Sequence, residues 1–132
     1  MTPSRWLLAI LALNILSTIF HYTDNFLFFD RYPAPHWMNI HHVYIAWLIL
    51  TPWAILGYIW YVKKRYWPAY GSLGLYSLTS TGSFGHYFYG SPAALSGKIN
   101  LSICLDGLAG LSLIAFLLWS AFLQQEGRQQ VQ

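Results

Sequence analysis

The sequence predicts an all-α integral membrane protein, a four-transmembrane-helix bundle with both termini cytoplasmic, and three observations carry that prediction. First, 56% of the residues are hydrophobic and only 8% are charged, against about a quarter charged in soluble domains. A chain of 132 residues makes a single transmembrane domain. A domain of that size cannot hide so much apolar surface from water, so lipid is the expected solvent. Second, the apolar residues gather into four long runs, broken by clusters of proline, glycine or lysine. Third, the net charge of +3 comes from basic residues at the ends of those runs. No basic stripe follows a helix, which argues for membrane orientation and against a nucleic-acid partner. Cys104 is the single cysteine, so the chain forms neither an internal disulfide nor a Cys-x-x-Cys motif.

Helix one is expected over about residues 4–29. Thr2, Pro3 and Ser4 supply capping residues, and Trp6 to Phe20 is apolar. Arg5 before a short apolar run resembles a secretory signal, but His21-Tyr22-Thr23-Asp24-Asn25 stands where a small-residue cleavage site belongs. Asn14, Thr18, His21 and Asn25 recur at steps of three and four. That stripe fits the interior of a bundle and not a lipid-facing surface.

Pro33 and Pro35 stiffen the turn that follows, and helix two is expected over about residues 37–62. His41, Tyr44, Thr51 and Tyr58 share one of its faces, and Pro52 should kink it. His41 and His42 are adjacent, so their side chains diverge by about 100° and one of them points inward. The stripe favours His41. After the basic cluster Lys63-Lys64-Arg65, helix three is expected over about residues 67–87, with Ser77, Thr81 and Gly85 as a ladder of small residues for close helix packing. Helix four is expected over about residues 99–123, with Ser102, Asp106 and Gly110 on one face, and a polar tail occupies 124–132.

Arg5, the Lys63-Lys64-Arg65 cluster and Arg128 fall on one side of such a bundle, while Arg31 and Lys98 fall on the other. The positive-inside rule then places both termini and the middle loop in the cytoplasm, as in a bacterial inner membrane or its equivalent.

Depth turns scattered residues into one site. At 1.5 Å per residue, His21 lies about 22 Å and Asp24 about 27 Å above the inner end of helix one. On the same count His41 is about 6 Å and Asp106 about 10 Å below the outer ends of their helices, and His86 is about 28 Å from Trp67. All four helices thus bring a polar or ionisable group into the outer third of a core about 30 Å thick.

Imidazoles and carboxylates from separate helices suit a divalent ion such as zinc, iron or manganese. The candidate ligands are His21, Asp24, His41, His42, His86 and Asp106, with Asp24 or Asp106 as the catalytic base. The expected chemistry is metal-assisted attack on a lipid or other hydrophobic substrate. The same groups without metal form an acid–base pair able to move protons. Haem or pigment binding is an alternative, with His21, His41 and His86 as cofactor-binding residues among abundant aromatics. A third reading is structural: an accessory subunit of a larger membrane complex, or a homo-oligomer, whose polar groups join helices among membrane lipids. Competing roles stand beside each residue. Asp24 also suits a pairing with Arg31, Asp106 with Ser102 a hydrogen bond to helix three, and Asn14 a helix-packing bond.

Overall fold

Local chemistry sets where each helix begins and ends. The computed structural model describes residues 2–127, and they contain no strand. The first helix, α1 (Pro3–Leu27), opens on a proline, whose missing N–H costs nothing in a first helical turn. The second, α2 (Ile40–Val62), starts later than the expected residue 37 because Asn39 caps it. The Asn39 side chain accepts from the backbone N–H of His41 and of His42, while His42 Nδ1 accepts from Asn39 N–H, a reciprocal box.

The third helix, α3 (Tyr66–Thr81), ends short of the expected residue 87, and the chain tightens into a 3₁₀ coil over Gly82–Phe88. Two glycines and a serine there weaken the wider helix. Ser83 Oγ also lies within hydrogen-bonding reach of the carbonyls of Ser80, at 2.7 Å, and Ile103, at 3.0 Å, and so pins the coil to the last helix. That helix, α4 (Gly97–Leu118), is capped by Ser96 and continues as one π turn over Trp119–Leu123.

Three of the four helices are long and apolar enough to cross a membrane: α1, α2, and α4 with its π turn. Their outward faces confirm the apolar character of the surface. Leu13, Leu16, Ile49, Ile55, Leu108 and Leu118 are each more than half exposed. At 16 residues, α3 rises about 24 Å, shorter than a hydrocarbon core of about 30 Å.

The helices form a ring in chain order. α1 packs on α2 and α4, α3 packs on α2 and α4, and α1 and α3 meet across the diagonal through a few side-chain hydrogen bonds. Up-and-down connectivity places the 28–39 and 82–96 connections together at one end, here called the upper end. An apolar core of Leu7, Leu11, Ala54, Leu73, Tyr76 and Leu113 fills the lower half.

Close approach in the ring rests on glycines other than those the spacing of α3 indicated. A Cβ on Gly110 would stand 2.7 Å from the backbone N of Thr81, and one on Gly57 would stand 2.6 Å from Leu73 Cγ. Gly85, by contrast, faces open space. Of the expected polar tail, residues 128–132 lie outside the described residues. Its start folds back: Tyr61 donates to Glu126 Oε2 over 2.5 Å, as does Ser120.

Candidate functional site

The polar stripe of α1 faces inward along its whole length. Asn14, Thr18, His21, Asp24 and Asn25 are all buried. Lipid offers such groups no hydrogen bonds, so each is expected to find its partner inside, and three of the four helices supply them.

At the upper end, His21 Nδ1 lies 3.0 Å from Ser102 Oγ on α4. One turn on, the Asp24 carboxylate is held from two sides. Tyr32 donates to Oδ2 over 2.7 Å, and Lys98 of α4 forms an ion pair with Oδ1. Arg31, the partner that sequence proximity indicated, instead places its guanidinium over the Phe28 ring. Burial above all, with the Asp24 carboxylate adding to it, pushes the Tyr32 phenol up, so Tyr32 remains a donor to Asp24.

His86 arrives from the 3₁₀ coil after α3, and both of its nitrogens are occupied. Nδ1 lies 2.6 Å from the Pro33 carbonyl, which only accepts, so Nδ1 carries the proton and donates. Nε2 is then the acceptor, 3.0 Å from Asn25 Nδ2. Burial pushes the imidazole below its ordinary value, against the raising effect of the Pro33 carbonyl. The ring stands 5.5 Å from that of His21 and 5.0 Å from that of Tyr32, centre to centre.

Asp106 lies apart from this group, in a polar layer deeper in the bundle. It is fully buried, with Oδ1 accepting from Ser17 over 2.9 Å and Oδ2 without a partner. In the same layer Ser80 of α3 donates to Asn14 Oδ1, and Asn14 Nδ2 reaches the Ala109 carbonyl of α4. These bonds tie three helices together. Ser102 does not make the hydrogen bond to helix three expected of it alongside Asp106, since it bonds His21 of α1 instead.

The two histidines of α2 reverse the expected order. His41 is exposed and faces away from the group, while His42, also exposed, borders the cavity described next. Thus the structure brings His21, Asp24 and His86 together and leaves His41 and Asp106 elsewhere. It adds Tyr32, Lys98 and the Pro33 carbonyl, which no periodicity marked, and gives Ser102, marked only as part of a face of helix four, to His21.

The metal and haem expectations gain no support from this arrangement. Asp24 has both oxygens engaged and His86 both nitrogens. Among the described residues, no three His, Cys, Asp or Glu side chains gather as a group that can hold a metal ion. Axial ligation of haem by His86 meets the same obstacle.

What the group does form is one wall of a cavity of about 330 Å³, at the small end of the range for small-molecule sites. His21, Asn25 and His86 line it, and Val43, Leu50 and Leu78 are among its apolar residues. Two polar atoms of these lining residues remain unspent. Asn25 Oδ1 is buried without a partner, and His21 Nε2 has no hydrogen bond among the described residues. Compared with known proteins, the chain matches no family model, no curated protein and no solved structure.

Proposed function

We propose that this chain is a multi-pass protein of a bacterial inner membrane or its equivalent, with both termini cytoplasmic, and that its upper cavity binds a hydrophobic small molecule drawn from the outer leaflet. One observation carries the binding role: a mostly apolar cavity has a wall whose residues include a buried acceptor, Asn25 Oδ1, and an imidazole nitrogen, His21 Nε2, that lack partners among the described residues. Unmet buried polar groups cost about 1–3 kcal/mol each, and a ligand that pairs with them recovers that cost.

The orientation rests on charge. Arg5, Lys63, Lys64 and Arg65 are at the lower end of the chain's topology, opposite Arg31 and Lys98. Pairing with Asp24 also offsets the charge of Lys98, which sharpens the asymmetry that the positive-inside rule reads. Acid–base catalysis is the second reading, favoured by the Ser102–His21 bond: it holds the ring at Nδ1 and leaves Nε2 toward the ligand.

Ala46 tests the binding role, because it lines the cavity yet is exposed, so a large side chain there fills the cavity without disturbing the core. Native mass spectrometry of protein released from lipid nanodiscs should show a bound species on the wild type that Ala46→Trp lacks. Identical bound species on both proteins would refute a cavity ligand.

A further inference from the structure

The cavity wall also specifies the head group of its ligand, an inference that rests on the binding role above. Among the described residues, no Lys, Arg, Asp or Glu lines the cavity. Of the two cations at this end, Lys98 is paired with Asp24 and borders a separate groove on the lipid side of α1, and Arg31 lies over the Phe28 ring. A phosphate or carboxylate head would therefore meet no Lys or Arg there, and an ammonium no carboxylate, and a charge buried unpaired costs several kcal/mol. Charged lipid head groups do not fit.

The two unspent atoms narrow the choice among neutral heads. Asn25 Nδ2 is committed to His86, so Oδ1 needs a donor. The state of His21 Nε2 depends on Ser102. When the serine hydroxyl donates to Nδ1, Nε2 carries the proton and seeks an acceptor; when it accepts, Nε2 is bare and seeks a donor. A ketone or ether only accepts, and leaves Asn25 Oδ1 unmet in either case. A hydroxyl both donates and accepts, so it serves Asn25 Oδ1 and His21 Nε2–H together, or pairs with the bare nitrogen.

Access comes from the bilayer. Leu50 of α2 and Leu78 of α3 line the cavity, and Leu78 is 58% exposed on the outside of the bundle. The opening thus lies between α2 and α3, where an aliphatic tail stays in lipid while the head reaches the wall. We infer that the ligand is a neutral, hydroxyl-bearing amphiphile, seated with its hydroxyl between Asn25 and His21 and its tail passing between α2 and α3.

Photolabelling tests this directly. The wild type in nanodiscs is irradiated with a long-chain alcohol carrying a diazirine in its chain, and in parallel with the matching fatty acid and alkyl phosphate. Adducts are then mapped by peptide mass spectrometry. The alcohol should label the α2 and α3 segments around Val43 and Leu78. Loss of one hydrogen bond weakens binding by about tenfold, so Asn25→Leu should reduce that labelling by about as much. Ala46→Trp, whose exposed site spares the fold, should abolish it while leaving labelling of the outer lipid-facing surfaces unchanged. Equal labelling of the cavity by the acid or the phosphate would overturn the neutral head group and leave the binding role standing. Labelling by all three probes confined to the lipid-facing surfaces would overturn both.

Discussion

The Tyr32 hydroxyl donates to Asp24 Oδ2 over 2.7 Å, so the loop after α1 is fastened to the last turn of α1 itself. Lys98 closes the carboxylate from the opposite side. Together they carry the chain across the top of the bundle and set the Pro33 carbonyl where it orients His86. Tyr32→Phe removes a hydrogen bond to a buried charge and should cost about 1.5–3 kcal/mol. Lys98→Met should cost less, because its side chain is 54% exposed and solvent screens its contribution. Unfolding midpoints of the two variants in mild detergent check the order.

Glycine contacts give a second prediction. Gly110→Ala drives a methyl to within 2.7 Å of the backbone of α3, and overpacking of this kind costs about 1–3 kcal/mol. Gly71→Ala and Gly74→Ala meet nothing within 4 Å and remove a poor helix former, so they should be neutral or stabilising by up to about 1 kcal/mol. Thermal unfolding of the three proteins separates them.

Much of the fold was legible because the membrane punishes an unpaired polar group. The α1 stripe of Asn14, Thr18, His21 and Asn25 is buried as its spacing indicated, and His86 reaches the same wall. The same logic misled in α2. Thr51 donates to the Trp47 carbonyl of its own helix over 2.6 Å, so it needs no partner across the bundle. Tyr44 is 47% exposed and packs beside Phe26 and Trp47. The face that α2 buries is Val43, Ala54, Gly57 and Tyr61, set by close packing, and its one polar atom, the Tyr61 hydroxyl, serves Glu126 at the lower end. For that reason His42 and not His41 borders the cavity. Tyr32 and Lys98 were hidden for another reason, as was the partner of Ser102: each contact forms only after the ring closes, and chain spacing holds no trace of that.

Acid should loosen the upper end. His86 lies beyond the end of α3, and burial holds its imidazole below the ordinary value of 6.5. The unfolded chain then binds a proton that the folded chain resists, so this contribution is present above about pH 6.5 and is lost as pH falls toward the lowered folded value. The unfolding midpoint should drop between pH 7.5 and pH 5, and the drop should shrink in His86→Gln. An unchanged slope in that variant would assign the acid sensitivity to other groups.

At the lower end, Glu126 accepts from both Tyr61 and Ser120, and Tyr70 shares the Ser120 hydroxyl at 2.7 Å. Glu126→Ala removes charged hydrogen bonds worth about 1.5–3 kcal/mol each when buried, and should lower stability by about that of one bond because the site is only partly buried. Gln124→Ala, at an exposed position, should change nothing. Denaturation of both variants under the same conditions makes the comparison.

The central claim is that His21, and no histidine of the exposed loop, meets a ligand arriving from lipid. Nitrogen-15 NMR of the imidazole side chains, on protein in nanodiscs titrated with a long-chain alcohol, tests it most directly. The His21 resonances should move with saturation, while those of His36 and His41 stay in place. A fixed His21, or shifts of equal size at all of these rings, would contradict the account.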